Sequence, residues 1–213
     1  MPSLAYWKIR GLAQPMRLLL NYVGEKFEDV QYEMGEGPDF SRDTWLKVKP
    51  TLGLDFPNLP YYIDGDIKIT QSNAILRHIA RKHDLLGKTE KERVNVDMML
   101  DNAMDLRNGV VGMAYNPNYE KMIKEYEYKD ILAGYEKWLS NKTWFGGENV
   151  TVVDFPMYEL LDQHRLMIPG CLDKYPKLTD FMKRFEALPK IKEYMASDKF
   201  MKRPINNKCA KFK

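Results

Sequence analysis

Cysteine is scarce in this sequence: Cys171 and Cys209 are the only two in 213 residues, and no Cys-x-x-Cys pair occurs. Two cysteines make no disulfide framework and suit a reducing compartment, so a cytoplasmic location is expected. The three histidines, His78, His83 and His164, lack metal-ligand spacing. His78 and His83 fall near the end of one predicted helix, and no metal site is expected. No apolar run is long enough to span a membrane, and Met1–Lys8 lacks the continuous apolar core of a signal peptide. The two glycosylation sequons, Asn141-Lys-Thr143 and Asn149-Val-Thr151, therefore read as chance matches. Charge of one sign is missing too. The net charge is +3, with lysines and arginines interspersed among acids, which excludes the concentrated basic footprint of a nucleic-acid binder. Only the end leans basic, at Lys199, Lys202, Arg203, Lys208, Lys211 and Lys213, and it reads as a solvated tail. There is no repeat or low-complexity segment.

Hydrophobic residues make up 44% and charged residues 30% of the chain, an ordinary soluble composition with material for a core. The first eighty residues alternate strand and helix signals. Leu4–Ile9 reads as a buried strand stopped by Arg10-Gly11. Pro15 suits the first turn of a helix that runs to Tyr22, with Gly24 as its C-cap. Phe27–Tyr32 is a second strand, and Asp43–Lys49 a short helix. Leu59–Ile63 and Ile67–Thr70 flank Asp64-Gly65-Asp66, the strongest hairpin signal present, and Ser72 opens a further helix. A parallel crossover followed by a hairpin gives a mixed sheet covered by helices. Residues 83–89 carry little periodicity and mark a linker, so the expected domains are 1–82 and 90–213. Thr89-Glu90-Lys91-Glu92 is a capping box that heads a long helix to about Tyr115. One helix is then expected from about Tyr119 to Leu139. Thr151-Val152-Val153-Asp154 is a second box-like start, and Pro176 and Pro189 punctuate the remaining helices. The fold class is thus α/β followed by all-α, which by itself gives no function.

Particular residues go further. Tyr6-Trp7 followed by Arg10-Gly11-Leu12-Ala13-Gln14-Pro15-Met16-Arg17, the run Leu52–Gly65, and Ile69–Arg77 resemble the mu class of cytosolic glutathione S-transferases. The stretch Met34–Trp45 is similar to that class's extra loop. Val153-Asp154-Phe155 and Cys171–Pro176 extend the likeness, which covers roughly residues 3 to 200. The resemblance implies a thioredoxin-like amino-terminal domain, an all-helical second domain that lines the electrophile site, a homodimer, and a cis Leu59–Pro60 bond. It implies conjugation of glutathione, a co-substrate, to hydrophobic electrophiles, with no cofactor.

The same resemblance assigns residues. Tyr6 would stabilise the glutathione thiolate. Trp7, Arg42, Trp45 and Lys49 would hold the glycyl end, Asn58 and Leu59 the cysteinyl backbone, and Gln71 and Ser72 the γ-glutamyl carboxylate at a helix start. Asp105 would reach the ammonium of glutathione in the partner subunit. Ile9, Leu12, Met104, Arg107, Val111 and Tyr115, with the tail near Asn206, would line the electrophile pocket. Phe56 would anchor the dimer, and Arg77 would meet Asp97 and Asp101 across a two-fold axis. On spacing alone each has a plainer reading. Tyr6 is one core tyrosine among thirteen, Arg42 and Lys49 are solvated charges, Ser72 is an N-cap, the aspartates form a solvated helix face, Tyr115 is core, and Phe56 packs within its own chain. Two other functions compete, a carrier of non-substrate hydrophobic ligands and an interaction module without an active site.

Overall fold

The computed structural model describes all 213 residues. Strands β1 (Ser3–Trp7), β2 (Glu28–Tyr32), β3 (Tyr61–Asp64) and β4 (Ile67–Thr70) form one sheet in the order β2-β1-β3-β4. β1 runs parallel to β2 and antiparallel to β3. Asp64 pairs with Ile67, so the hairpin turn is Gly65-Asp66, and Gly65 takes the positive φ of +60° that such turns favour. Helix α1 (Gln14–Val23) makes the crossover from β1 to β2 and stops at Gly24, φ +73°, as expected. α2 (Asp43–Leu46) and α3 (Ser72–Lys82) complete this thioredoxin-like half. Pro60 has no N–H to donate, and the β1–β3 ladder ends at the next residue, where Ala5 pairs with Tyr61. Tyr6 and Trp7 therefore pair only with β2, and the sheet opens beside them. The Leu59–Pro60 bond is cis.

The remainder is helical: α4 (Glu90–Ala114), α5 (Tyr119–Glu125), α6 (Tyr128–Trp138), α7 (Asp154–Met167), α8 (Pro176–Glu186) and α9 (Pro189–Ala196). The capping box at Thr89 is complete, with Glu92 N–H donating to the Thr89 hydroxyl at 3.2 Å and Thr89 N–H to the Glu92 carboxylate at 3.1 Å. α7 is the central helix. Only Arg165 and Leu166 of its residues are not buried, and it packs against both α1 and α4. One core of 38 buried residues runs from Leu4 and Met16 in the first half through to Ile191 and Tyr194 in the second. The two halves are thus held by shared apolar packing.

Four expectations are corrected. The helix expected over 119–139 is two helices, broken at Tyr126, whose backbone is extended and whose hydroxyl bonds His164 of α7 at 2.9 Å; that tertiary contact overrides local propensity. Ser72 opens α3 as expected but is not its N-cap: it is the first helical residue, and Gln71 holds the cap position without a side-chain cap bond. Arg77 meets Asp97 at 3.0 Å and Asp101 at 3.3 Å within one chain, because its helix α3 reaches across to α4 beside it. The basic end is not a solvated tail: Ile205, Asn206, Asn207 and Ala210 are buried.

The second box is only half formed: the Asp154 carboxylate accepts from the Thr151 N–H, but Val153 holds the cap position of α7 and the Thr151 hydroxyl accepts no helix N–H. Asp154 is wholly buried and accepts from the N–H groups of Phe145 and Thr151 at 2.8 and 2.7 Å, and from the Thr151 hydroxyl at 3.2 Å. Burial pushes its pKa up to about 7 against the pull of those donors. Each buried donor left without an acceptor costs ~1–3 kcal/mol, so Asp154→Ala should lose at least about 3 kcal/mol of stability. Urea unfolding checks this, and a midpoint that stays in place would contradict the capping role.

Candidate active site

The open end of β1 carries Tyr6, buried at 5% exposure. The loop after the strand wraps its ring. Gly11 lies at φ +42°, and a side-chain carbon there would stand 2.5 Å from Tyr6 Cε1, closer than any real contact allows. Burial raises the pKa of Tyr6, while the Arg107 charge, the Leu12 amide and the Arg17 charge pull the other way. The phenol thus keeps its proton at neutral pH and remains a donor. Arg107 comes from α4, so the helical half reaches this group. Two turns further on, just past the end of α4, Tyr115 is half-buried and its hydroxyl accepts from the Asn207 N–H at 2.8 Å. Burial is the main cause of the raised pKa of Tyr115, while the Asn207 amide and the nearby Arg107 charge pull the other way.

Tyr6, Ile9, Trp45 and Leu59 share one buried cluster, with Trp7 and Leu12 against it. Trp45 stacks on Tyr61 at 6.0 Å and leans on Tyr32 at 5.5 Å, and the two tyrosine hydroxyls bond at 2.9 Å. This packing holds the short α2 in place. Of the four indole N–H groups only that of Trp138 is engaged within the chain, so those of Trp7 and Trp45 are free to donate. Arg42 is exposed and Lys49 half-buried, and neither enters an ion pair. Pro50 fits a short 3-10 turn over Lys49–Thr51. Leu59 N–H is already held by the Asn58 side chain at 2.9 Å, so a ligand backbone pairing there must displace that carboxamide. Gln71 sits at φ +71°, a strained conformation for a residue with a side chain, and such strain gathers at ligand clamps. Ser72 beside it is buried. Leu12, Ser72, Met104 and Arg107 line one narrow crevice between the halves.

Two predicted residues stand apart. Asp105 is exposed and lines a groove of about 580 Å³ between α4 and α6, with Met98, Leu106, Tyr135 and Trp138. Phe56 is 79% exposed on the irregular stretch before β3 and does not pack within its own chain.

A family model for the glutathione S-transferase amino-terminal domain matches residues 2–81, and one for the carboxyl-terminal domain matches residues 104–198. The chain is 51% identical to glutathione S-transferase Mu 2 of Mus musculus over 210 residues, covering 98% of this chain and 96% of that one. It is 48% identical to glutathione S-transferase Mu 4 of Homo sapiens, with the same coverage. The chain belongs to the glutathione S-transferase family. Its likeness is to the mu class along nearly the whole length. Among solved structures, glutathione S-transferase Blo t 8 superposes with a TM-score of 0.90 at 35% identity, covering 98% of each chain.

Beneath the transferase site lies a set of buried charges that sequence reading missed. Arg10, 1% exposed, donates to both carboxylate oxygens of Glu159, at 2.9 and 2.6 Å, and also to Asp162. Burial opposes its charge, yet Glu159 and Asp162 hold its pKa above the usual guanidinium value. Gln163 steadies Glu159 at 2.8 Å, and Arg165 steadies Asp162 at 2.7 Å. The network pins the loop around Tyr6 to α7. Its one sequence signal was Glu159, Asp162 and Gln163 inside the apolar run Phe155–Leu166, where unpaired charge would be costly.

Proposed function

We propose that this transferase activates the thiol of glutathione through Tyr6 and adds it to hydrophobic electrophiles. The observation that carries the proposal is a buried, protonated phenol at the open end of β1, ringed by Gly11, Leu12 and Arg107. A thiol of reference pKa ~8.5 is mostly protonated at neutral pH, and lowering it by ~2 units takes roughly 2.7 kcal/mol. One hydrogen bond to a charged group contributes roughly 1.5–3 kcal/mol, so Tyr6 can supply most of that. The thiol proton leaves to solvent, and the thiolate attacks the electrophilic carbon, either expelling halide from an aryl halide or shifting the C=C pair of an enone toward its carbonyl, after which the α-carbon takes one proton.

Residues 1–82 bind glutathione in this reading, and 90–213 line the electrophile site. Arg42 and Lys49, without ion pairs of their own, face the glycyl carboxylate with the indole donors of Trp7 and Trp45. Gln71 and Ser72 take the γ-glutamyl end at the start of α3. Ile9, Leu12, Met104, Val111 and Tyr115 supply the apolar wall. Glutathione is a co-substrate and no other cofactor is used. No helix is long and apolar enough to cross a membrane, and a cytoplasmic setting suits two unpaired cysteines. Retention on immobilised glutathione, followed by turnover of an aryl halide and an α,β-unsaturated ketone, tests the proposal. Retention without turnover would reassign the chain as a carrier, and loss of both would leave a module without an active site.

The working unit is a homodimer in this proposal. Phe56 inserts into the groove between α4 and α6 of a second copy, whose apolar lining suits an aromatic anchor, and Asp105 in that groove reaches the partner's glutathione. Removing such an anchor typically costs at least ~2 kcal/mol, so Phe56→Ala should weaken dimerisation about thirtyfold or more and lower glutathione affinity as well. Sedimentation at low concentration checks the first, and a fully active monomer would contradict the shared site.

A further inference from the structure

The basic carboxyl-terminal segment has no part in the thiolate chemistry, yet the fold brings it back to the active site. The carbonyls of Pro204 and Ile205 accept from the amides of Arg10 and Gly11 at 2.9 and 3.0 Å, and Lys211 N–H donates to Ala114 at 2.7 Å. Between this strap, the loop at Glu33-Met34 and the ends of β1 and β2 lies a cavity of about 290 Å³. Open α/β sheets bind ligands beyond the carboxyl ends of their parallel strands, which is where this cavity sits. Ile9, Met34, Met201 and Pro204 make it apolar, and Ile9 also packs in the cluster around Tyr6.

Its rim is cationic, formed by Lys8, Arg203 and Lys208. Lys8 pairs with Glu33 at 2.6 Å, and Lys208 pairs with Glu36. Both pairs are solvent-exposed and therefore weak. Arg203 has no carboxylate partner at all. Its guanidinium lies over the Phe212 ring, 5.2 Å from the centroid, and Phe212 stacks in turn on Tyr119. That stack fixes the guanidinium while leaving its N–H donors uncommitted.

We propose that this cavity selects electrophiles that carry an anionic group on an apolar chain, with Arg203 as the anion's main partner and Lys208 and Lys8 adding positive potential. The inference rests on the transferase reading above and names its substrate class: α,β-unsaturated carbonyl compounds bearing a carboxylate. In the reaction the thiolate forms a bond to the β-carbon and the C=C π pair shifts toward the carbonyl. The α-carbon then takes one proton, so nothing leaves and no oxidant or reductant is needed.

The test compares a linear fatty acid carrying an internal enone with its methyl ester, which differ in charge and share the reacting carbons. The readout is the ratio of their kcat/KM values, because effects on fold, Tyr6 or glutathione divide out. Wild-type protein is expected to prefer the acid by about tenfold at low salt, and the preference should shrink as ionic strength rises. Arg203→Glu combined with Lys208→Glu should turn it in favour of the ester. A wild-type ratio near one, or a preference unmoved by charge reversal, overturns the substrate assignment and leaves the transferase reading standing. Turnover of an aryl halide but of neither enone does the same. No turnover of any of the three compounds overturns both.

Discussion

Replacing Arg10 by methionine is expected to lower the midpoint of thermal unfolding by about 10 °C. The side chain lost is a buried cation, and the groups left behind are Glu159 and Asp162, both nearly free of solvent contact. Breaking a buried pair from one side costs about 3–5 kcal/mol, since the remaining charge is uncompensated. In a chain of this size ~1 kcal/mol moves the midpoint by ~2–4 °C. Methionine nearly fills the space, so little of the loss arises from a cavity. Asp162 keeps its pair with Arg165, so the charge left without a cation is that of Glu159. The result to look for is a fall in midpoint that lessens at low pH, where the Glu159 carboxylate takes up a proton. A midpoint within experimental error of wild type would show that the network contributes nothing net to stability.

Tyr6→Phe is expected to lower kcat by about ten- to a hundredfold at neutral pH, the value of roughly 1.5–3 kcal/mol for a hydrogen bond to a charged group. The ring remains, so its packing under Gly11 and Ile9 is kept and the protein stays folded. Affinity for glutathione should change little, because the binding groups assigned to Arg42, Trp45, Lys49, Gln71 and Ser72 are untouched. Equal falls in kcat and kcat/KM would mark an interaction made with the reacting thiolate, whereas a raised KM with normal kcat would mark simple binding.

Much of the fold was legible in short segments because local chemistry decided them. Gly24, the Asp-Gly turn before β4 and the Thr89 box each act over four or five residues, and each stands where the sequence placed it. The misses are non-local. Nothing near Tyr126 breaks a helix; the break comes from a hydroxyl reaching His164, nearly forty positions away. The basic end reads as solvated because its lysines are solvated, while Ile205 and Asn207 between them are buried and held by Gly11 and Tyr115 from distant parts of the chain. Arg10 looked like a strand stop because its partners lie about 150 residues later. For the site, position came from the resemblance and geometry came only from the fold. Burial of Tyr6, the free guanidinium of Arg42, the exposed Phe56 and the intrachain pairing of Arg77 have no signature in spacing.

The central claim is that one phenol sets the ionisation of the bound thiol. The most direct test is an ultraviolet titration of the glutathione thiolate in complex with wild-type protein and with Tyr6→Phe, at saturating glutathione. The account predicts an apparent pKa ~2 units below the free thiol's ~8.5 in the wild type, and return of most of that shift in the variant. A Tyr6→Phe complex that titrates as low as the wild type would contradict it.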